Sequence, residues 1–406
     1  AYTSVVVAED RAVAMGGFRG PAIGFTLGGK GNVSEQNTLW RVEKNPQRIG
    51  SGMILGDVMF MVNEEGIVEC LDVATGKQRW EERLPEGGKV WGSLTYAGDC
   101  LYVTNQEGNT TVFAANPEHP GAAHYVIHAF DDPTHAILAM DAAVAYGAMA
   151  PDAAHAQHMT SHIFLARGMW DEVVEANVRA DAVVDRGLAA RGAPATSCGH
   201  YNQWLGYGFQ QEGRAGRAAE LVLACAAQTA DEARAPAARS SADFSAGVQR
   251  AWYLADTEQR GGPVARLRST SMDPTPAWLW GNGFVAARSG EVAEAETQLA
   301  ELRATVSAMD STSFMAPYAP VWIGMLQAEI ARASGDLDRA LGVARAAADY
   351  EASLPVDFGP PLALKPAREV EAELLLEMER YAEAAGAFDR QLQRTPRRVR
   401  SLLGAA

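Results

Sequence analysis

The sequence predicts a multidomain chain: an all-β segment followed by an all-α array of stacked helical hairpins. Three observations lead there. The composition changes abruptly near residue 118, the first 116 residues alternate short β-forming runs with turn residues, and the remainder repeats a helical pattern with small residues at fixed spacing. Of the 39 Gly, 17 precede residue 118, as do four of the five Lys. Ala rises to almost a quarter of the residues beyond it, and all eight His lie between His119 and His200. Such a shift marks a domain boundary, so the expected domains are residues 1–117 and 119–406. The join, Asn116-Pro117-Glu118-His119-Pro120, has no Ser/Gly-rich linker.

In the first segment Val58-Met59-Phe60-Met61-Val62 runs into Asn63-Glu64-Glu65-Gly66, and Leu101-Tyr102-Val103-Thr104 into Asn105-Gln106-Glu107-Gly108. Short runs of β-formers closed by Asn, Glu and Gly read as strands and hairpins. Gly56-Asp57 recurs as Gly98-Asp99, and Asn63-x-x-Gly66 as Asn105-x-x-Gly108, both 42 residues on. A period of that size, with about four strands per repeat, is the signature of a β-propeller blade.

The stretch from Gly66 to Trp80 carries Leu71-Asp72, a Thr75-Gly76-Lys77 turn and a Trp, and it resembles the pyrroloquinoline-quinone-like propeller repeat. The resemblance gives Asp72, Thr75, Gly76 and Trp80 a role in blade closure. Asp72 and Thr75 suit the turn, Gly76 the position that needs positive φ, and Trp80 an anchor between blades, with Trp40 one period earlier. No quinone is expected, because Cys70 and Cys100 stand apart and the vicinal Cys pair of a quinoprotein dehydrogenase is missing. This length supplies two to three blades, whereas closure takes at least four. A partial propeller is therefore expected. Blades before residue 1, a completing second chain or an artificial join would each account for it, and the first is favoured.

Beyond residue 119, tight turns recur at a spacing of 45. Arg167-Gly168-Met169 is followed by Glu212-Gly213-Arg214, and Ser289-Gly290-Glu291 by Ser334-Gly335-Asp336; a further turn within Glu377-Met378-Glu379-Arg380-Tyr381, without Gly, lies about one period beyond. Each is preceded by a helical run and followed by an Ala-rich one. This pattern resembles the tetratricopeptide repeat, in which small residues let paired helices approach closely. The resemblance spans roughly residues 120–400 as six or seven hairpins, with 232–270 fitting least. It implies an interaction scaffold that holds a protein or peptide partner in its concave groove.

The histidines suggest a second reading. His124 and His128 are spaced i, i+4, with Asp131 three further on; His155, His158 and His162 are spaced i, i+3, i+7. Each set projects from one side of a helix. The first A helix is expected over Gly121–Phe130 and the second over Ala153–Arg167, with His200 opening the third. Imidazoles from neighbouring A helices could then share one stretch of wall. His124, His128, His158 and His162, with His155 and Asp131, form a candidate ligand set for zinc, copper or iron. Asp131 would ligate or would fix a histidine tautomer. The alternatives are a structural polar seam, in which Ser161 and Tyr125 take part, and metal-free acid–base chemistry. His135 is expected to open a B helix and face solvent. The stretches around His119–Pro133 and His155–Phe164 resemble a paired motif of bacterial tetratricopeptide proteins, a resemblance that implies a recurring site and names no reaction.

Other features exclude functions. A net charge of -15 and a pI near 5.0 argue against a general nucleic-acid binder. No apolar run is long enough to span a membrane. C-x-x-C and H-E-x-x-H are absent. Cys198 and Cys225 are expected to be small buried side chains, and Trp278, Trp280 and Trp322 to be core. Arg394, Arg397, Arg398 and Arg400 read as a solvated C-terminal cluster. Quinone-like propellers are mostly exported, so a periplasmic or exported location is favoured over the cytoplasm.

Overall fold

The computed structural model describes residues 3–17, 20–44, 49–84, 88–98, 100–114, 120–232, 234–356 and 358–406. The chain divides into two compact units, Ala1–Val126 and Ile127–Ala406. The join residues Asn116 to His119, and Asp99 of the repeated Gly-Asp pair, lie outside the described residues.

The first unit is built from antiparallel sheets. Strands β1 (Val6–Ala8), β2 (Arg11–Met15), β3 (Ala22–Thr26) and β4 (Thr38–Val42) form one in chain order, with the short helix α1 (Ser34–Asn37) before β4. Strands β5 (Met53–Leu55), β6 (Val58–Val62), β7 (Ile67–Asp72) and β8 (Gln78–Arg83) form the second. Strands β9 (Thr95–Ala97), β10 (Cys100–Thr104) and β11 (Thr110–Ala114) form the third. Among the described residues no sheet closes on itself.

Strand β6 is apolar at every position because both of its faces are covered. Met59 and Met61 pack with Val13, Met15, Leu71 and Val73, while Phe60 and Val62 pack with Val68, Cys70, Leu101 and Val103. Alternation along a pleated strand sends successive side chains to opposite cores. The β7–β8 turn is held by Asp72, whose carboxylate accepts from the Thr75 N–H at 3.0 Å and from its hydroxyl at 2.9 Å, with Gly76 at φ 68°. The Trp40 indole donates to the Val73 carbonyl at 2.8 Å, and a Cβ at Gly76 would lie 2.5 Å from its ring. Trp80 on β8 is half-exposed, its ring 5.9 Å from Phe60.

One charge inside this unit lacks compensation. Glu69 on β7 is buried, one of its carboxyl oxygens has no hydrogen-bond partner, and its ladder partner on β8 is Glu81. Burial, reinforced by Glu81, pushes the Glu69 carboxyl from 4.5 up to about 7. The folded state therefore keeps a proton that the unfolded chain has already lost. Its stability contribution is full below about pH 4.5 and is lost as the pH rises through about 7.

The second unit is helical. Helix α2 (Pro120–Ala129) contains the boundary between the units, and a 3-10 turn at Ala136–Ala139 and α3 (Met140–Met149) follow it. Antiparallel pairs follow: α4 (Ala154–Ala166) with α5 (Trp170–Ala189), α6 (His200–Gln211) with α7 (Ala215–Ala227), and α8 (Pro236–Thr257) with the one-turn α9 (Pro263–Arg266). Then come α10 (Pro276–Arg288) with α11 (Val292–Ser307), α12 (Ala319–Ala333) with α13 (Leu337–Ser353), α14 (Ala367–Glu377) with α15 (Tyr381–Arg394), and last α16 (Val399–Ala405). Within four of these pairs the tight turn places a Gly in left-handed backbone: Gly168, Gly213, Gly290 and Gly335, at φ 65° to 80°. Glu379 takes the same conformation at φ 59° before α15. Helices approach closely over small residues, and a Cβ at Gly208 would lie 2.8 Å from Val174. Trp278, Trp280 and Trp322 are fully buried.

The expectation of a solvated C-terminal arginine cluster fails for two of its members. Arg398 is fully buried, bidentate on Glu369 at 2.9 Å, paired with Asp256 and donating to the Tyr207 hydroxyl at 2.9 Å. Arg400 pairs with Glu258 and Glu373. Lys365, also fully buried, sits 2.7 Å from Glu373, and Arg288 reaches Glu329 at 2.6 Å. Burial pushes the Glu369 carboxyl up, but Arg398 and then Lys365 pull it below the ordinary range. Carboxylates turned inward from several helices need cations beside them, because a lone buried charge is expensive.

Two expected outcomes follow from these buried charges. Glu69→Gln raises the stability of the first unit at pH 8 by about 2 kcal/mol and leaves it nearly unchanged at pH 4.5; urea denaturation at both values checks this, and an equal effect at the two pH values would refute it. Arg398→Ala lowers the stability of the helical unit by about 3–5 kcal/mol, because Glu369 and Asp256 lose their cation. Tryptophan-monitored denaturation reads it, and a loss below about 1 kcal/mol would show that the network is not dry.

Candidate metal centre

Helix α4 runs through the interior, and from Ala156 to Phe164 every residue is buried. Five of these, Gln157, His158, Thr160, Ser161 and His162, are polar, so each needs a partner. Thr160 and Ser161 donate back to the carbonyls of Gln157 and His158. The two histidines, one helical turn apart, find theirs elsewhere.

The geometry fixes the hydrogen on His158. Asn177 of α5 donates its Nδ2 to the Val173 carbonyl at 2.8 Å, which turns its Oδ1 toward His158. Nδ1 of His158 donates to that oxygen at 2.7 Å. Burial above all, then the neighbouring His162 and His200, holds this imidazole well below its ordinary pKa, so it is neutral and its Nε2 carries a lone pair. Nδ1 of His162 lies 2.5 Å from Asp131 Oδ2, both side chains being almost wholly buried. The two Nε2 atoms face each other at 3.1 Å. Two lone pairs at that distance repel, so either a proton or a cation lies between them. Burial pushes the Asp131 carboxyl up to about 7, against the pull of His128. With no cation between the rings the row needs two protons, one in the Asp131–His162 gap and one between the two Nε2 atoms.

His200 completes the group at the first residue of α6. Its ring centroid is 4.5 Å from that of His158, and ligand nitrogens of His158, His162 and His200 all lie within 4.8 Å of one another. The Trp204 ring closes one side, 4.7 Å from His158 and 4.5 Å from His162, and Phe358 stacks 6.0 Å from His162. A tetrahedral ion about 2.1 Å from each nitrogen sets nitrogen pairs roughly 3.3 Å apart. The His158–His162 pair already meets that spacing, and the exposed His200 needs an inward shift of at most roughly 1.5 Å.

Cys198 and Cys225 are not the separate small side chains expected. They form a disulfide with Cα atoms 4.9 Å apart. Which cysteines pair depends on how α6 and α7 pack, which spacing along the chain does not report. The bridge anchors the segment two residues before His200, and Gly199 between them takes φ 115°.

Of the six expected ligands, the structure gathers His158, His162 and Asp131. His128 is exposed, its ring 5.8 Å from His162, beside the nitrogen group without joining it. His155 is exposed in the first turn of α4, and its charge acts on His158 and His200. His124 is half-buried, lies in the first unit and has its ring 5.7 Å from Tyr125. His135 caps against Asp132 at 2.8 Å and is exposed, while His119 lies outside the described residues. Sequence reasoning missed Asn177. Its signal was an amide interrupting the buried face of α5, which otherwise reads Val173, Val174, Ala176 and Ala180.

Asn177→Leu is expected to lower stability by about 1–3 kcal/mol, because it leaves a buried imidazole N–H without an acceptor. Denaturation with retained helical circular dichroism is the measurement; a midpoint equal to the parent protein's would mean that the amide does not hold the ring.

No protein-family model matches the chain, and no curated protein does. Among solved structures, the chain is similar to BamB from Moraxella catarrhalis, at 17% identity and a TM-score of 0.22, over 27% of this chain and 30% of that one. The match thus spans under a third of that protein's length.

Proposed function

We propose that the helical unit holds one transition-metal ion through Nε2 of His158 and of His162 and through a ring nitrogen of His200. The observation that carries this reading is the 3.1 Å approach of two Nε2 atoms, with the Nδ1 atoms of both rings already committed to Asn177 and Asp131. Orienting partners on the far ring nitrogen are what metal-ligating histidines require. Three imidazoles without a thiolate suit zinc, copper or iron, and they leave a position open to a further ligand. An ion there supplies Lewis acidity toward that ligand. The chain's own residues do the rest: Asn177 and Asp131 aim the lone pairs, and Trp204 keeps water from one side.

The same reading takes the antiparallel sheets as blades of a pyrroloquinoline-quinone-like propeller. The Trp40 indole seated over Gly76 supports it, as does the Ser51 N–H donating to Ser93, 42 residues on. It takes the helical pairs as tetratricopeptide-like repeats, supported by the recurrent left-handed turn residue. The Cys198–Cys225 bridge supports an exported location.

The test is metal analysis after chelation and reloading with zinc, copper(II) or iron(II). One ion per chain is expected, with at least a tenfold loss of affinity in His158→Ala and in His162→Ala and none in His124→Ala. Failure to take up any of the three ions stoichiometrically removes the centre. A hydrogen-bonded polar seam inside a protein-docking array is then the reading that remains.

A further inference from the structure

We infer that the cavity beside His200 binds a small molecule with an aromatic or alkyl body and one oxyanion head, the head meeting the ion at the histidine centre. This rests on the metal reading above. The cavity has a volume of about 620 Å³, within the range that encloses a drug-sized ligand. Phe244, Val248, Trp252 and Phe358 are among its walls. The Trp252 indole N–H is already spent on the Pro361 carbonyl at 2.9 Å, so that wall is apolar in effect.

Two features set the ligand class. Among the described residues, no Asp, Glu, Lys or Arg lines the cavity, and Gln203 and His200 are its main polar side chains. An extended peptide would bring an amide N–H and a carbonyl with every residue and would leave most of them unpaired, at a cost of about 1–3 kcal/mol each. A compact apolar body has no such penalty. Among the described lining residues, charge is met at the end where His200, Trp204 and Phe358 are shared between cavity and histidine cluster. An anionic oxygen placed there would occupy the position that three imidazoles leave open.

The experiment is calorimetric titration of the zinc-loaded full chain with 2-naphthohydroxamic acid and with 2-naphthalenemethanol, which shares the ring and lacks the chelating head. The hydroxamate is expected to bind at least 100-fold more tightly than the alcohol. His162→Ala, or removal of zinc, is expected to bring it down to the alcohol's affinity. Val248→Trp, which fills the cavity away from the histidines, should weaken both ligands at least tenfold with zinc stoichiometry unchanged. Phe244→Ala, on the same wall, should weaken both about fivefold and serves if the larger side chain prevents folding. Unaltered affinity in both wall variants, with zinc still bound, overturns the cavity while the metal centre stands. Absence of zinc uptake, with the alcohol still bound and sensitive to Val248→Trp, overturns the metal centre and the oxyanion head with it. Absence of binding by either ligand to zinc-loaded protein overturns the inference as a whole.

Discussion

The Asn177 side chain decides the chemistry of the helical unit. Its amide cannot flip, because its nitrogen is committed to the Val173 carbonyl. The oxygen must then accept from His158, which leaves the opposite nitrogen of that ring as a bare acceptor aimed at His162. Asp131 holds Nδ1 of His162 from the other side. A helix that carries imidazoles through a dry packing layer has few ways to satisfy both ring nitrogens. Here each ring has one nitrogen satisfied by a fixed partner, and the two remaining nitrogens confront each other.

What could be read from the chain, and what could not, follows from the range of the interactions. The His158–His162 spacing of one turn was legible, since helical periodicity is local. The placement of α2 was not: His128 lies beside the cluster, and His124 falls in the first unit. His155 shares the helix and the expected face, yet it sits where α4 has not yet entered the packing layer. The apolar run of β6 was legible as a strand; that it is covered on both faces required the neighbouring sheets. Arg398 was misread for a related reason. A run of arginines near a terminus resembles a solvated end until its partners are known, and they lie on α8 and α14 and at Tyr207.

Two buried polar systems thus coexist in the helical unit with different degrees of completion. The ion network around Arg398, Lys365 and Arg288 gives each cation one or more carboxylates at close range. Such networks add little net stability and penalise alternative packings heavily. The histidine row instead sets two Nε2 atoms 3.1 Å apart. In a low-dielectric interior a proton or a ligand shared between them is strongly favoured.

The burial of Lys365 has a practical outcome. It is the only lysine after Lys89, and it is fully enclosed, whereas Lys30, Lys44, Lys77 and Lys89 are all exposed in the first unit. An amine-directed dye or crosslinker applied to the native chain would therefore mark the sheets and pass over the helices. Delayed labelling at Lys365 would time the opening of the helical interior from a single atom.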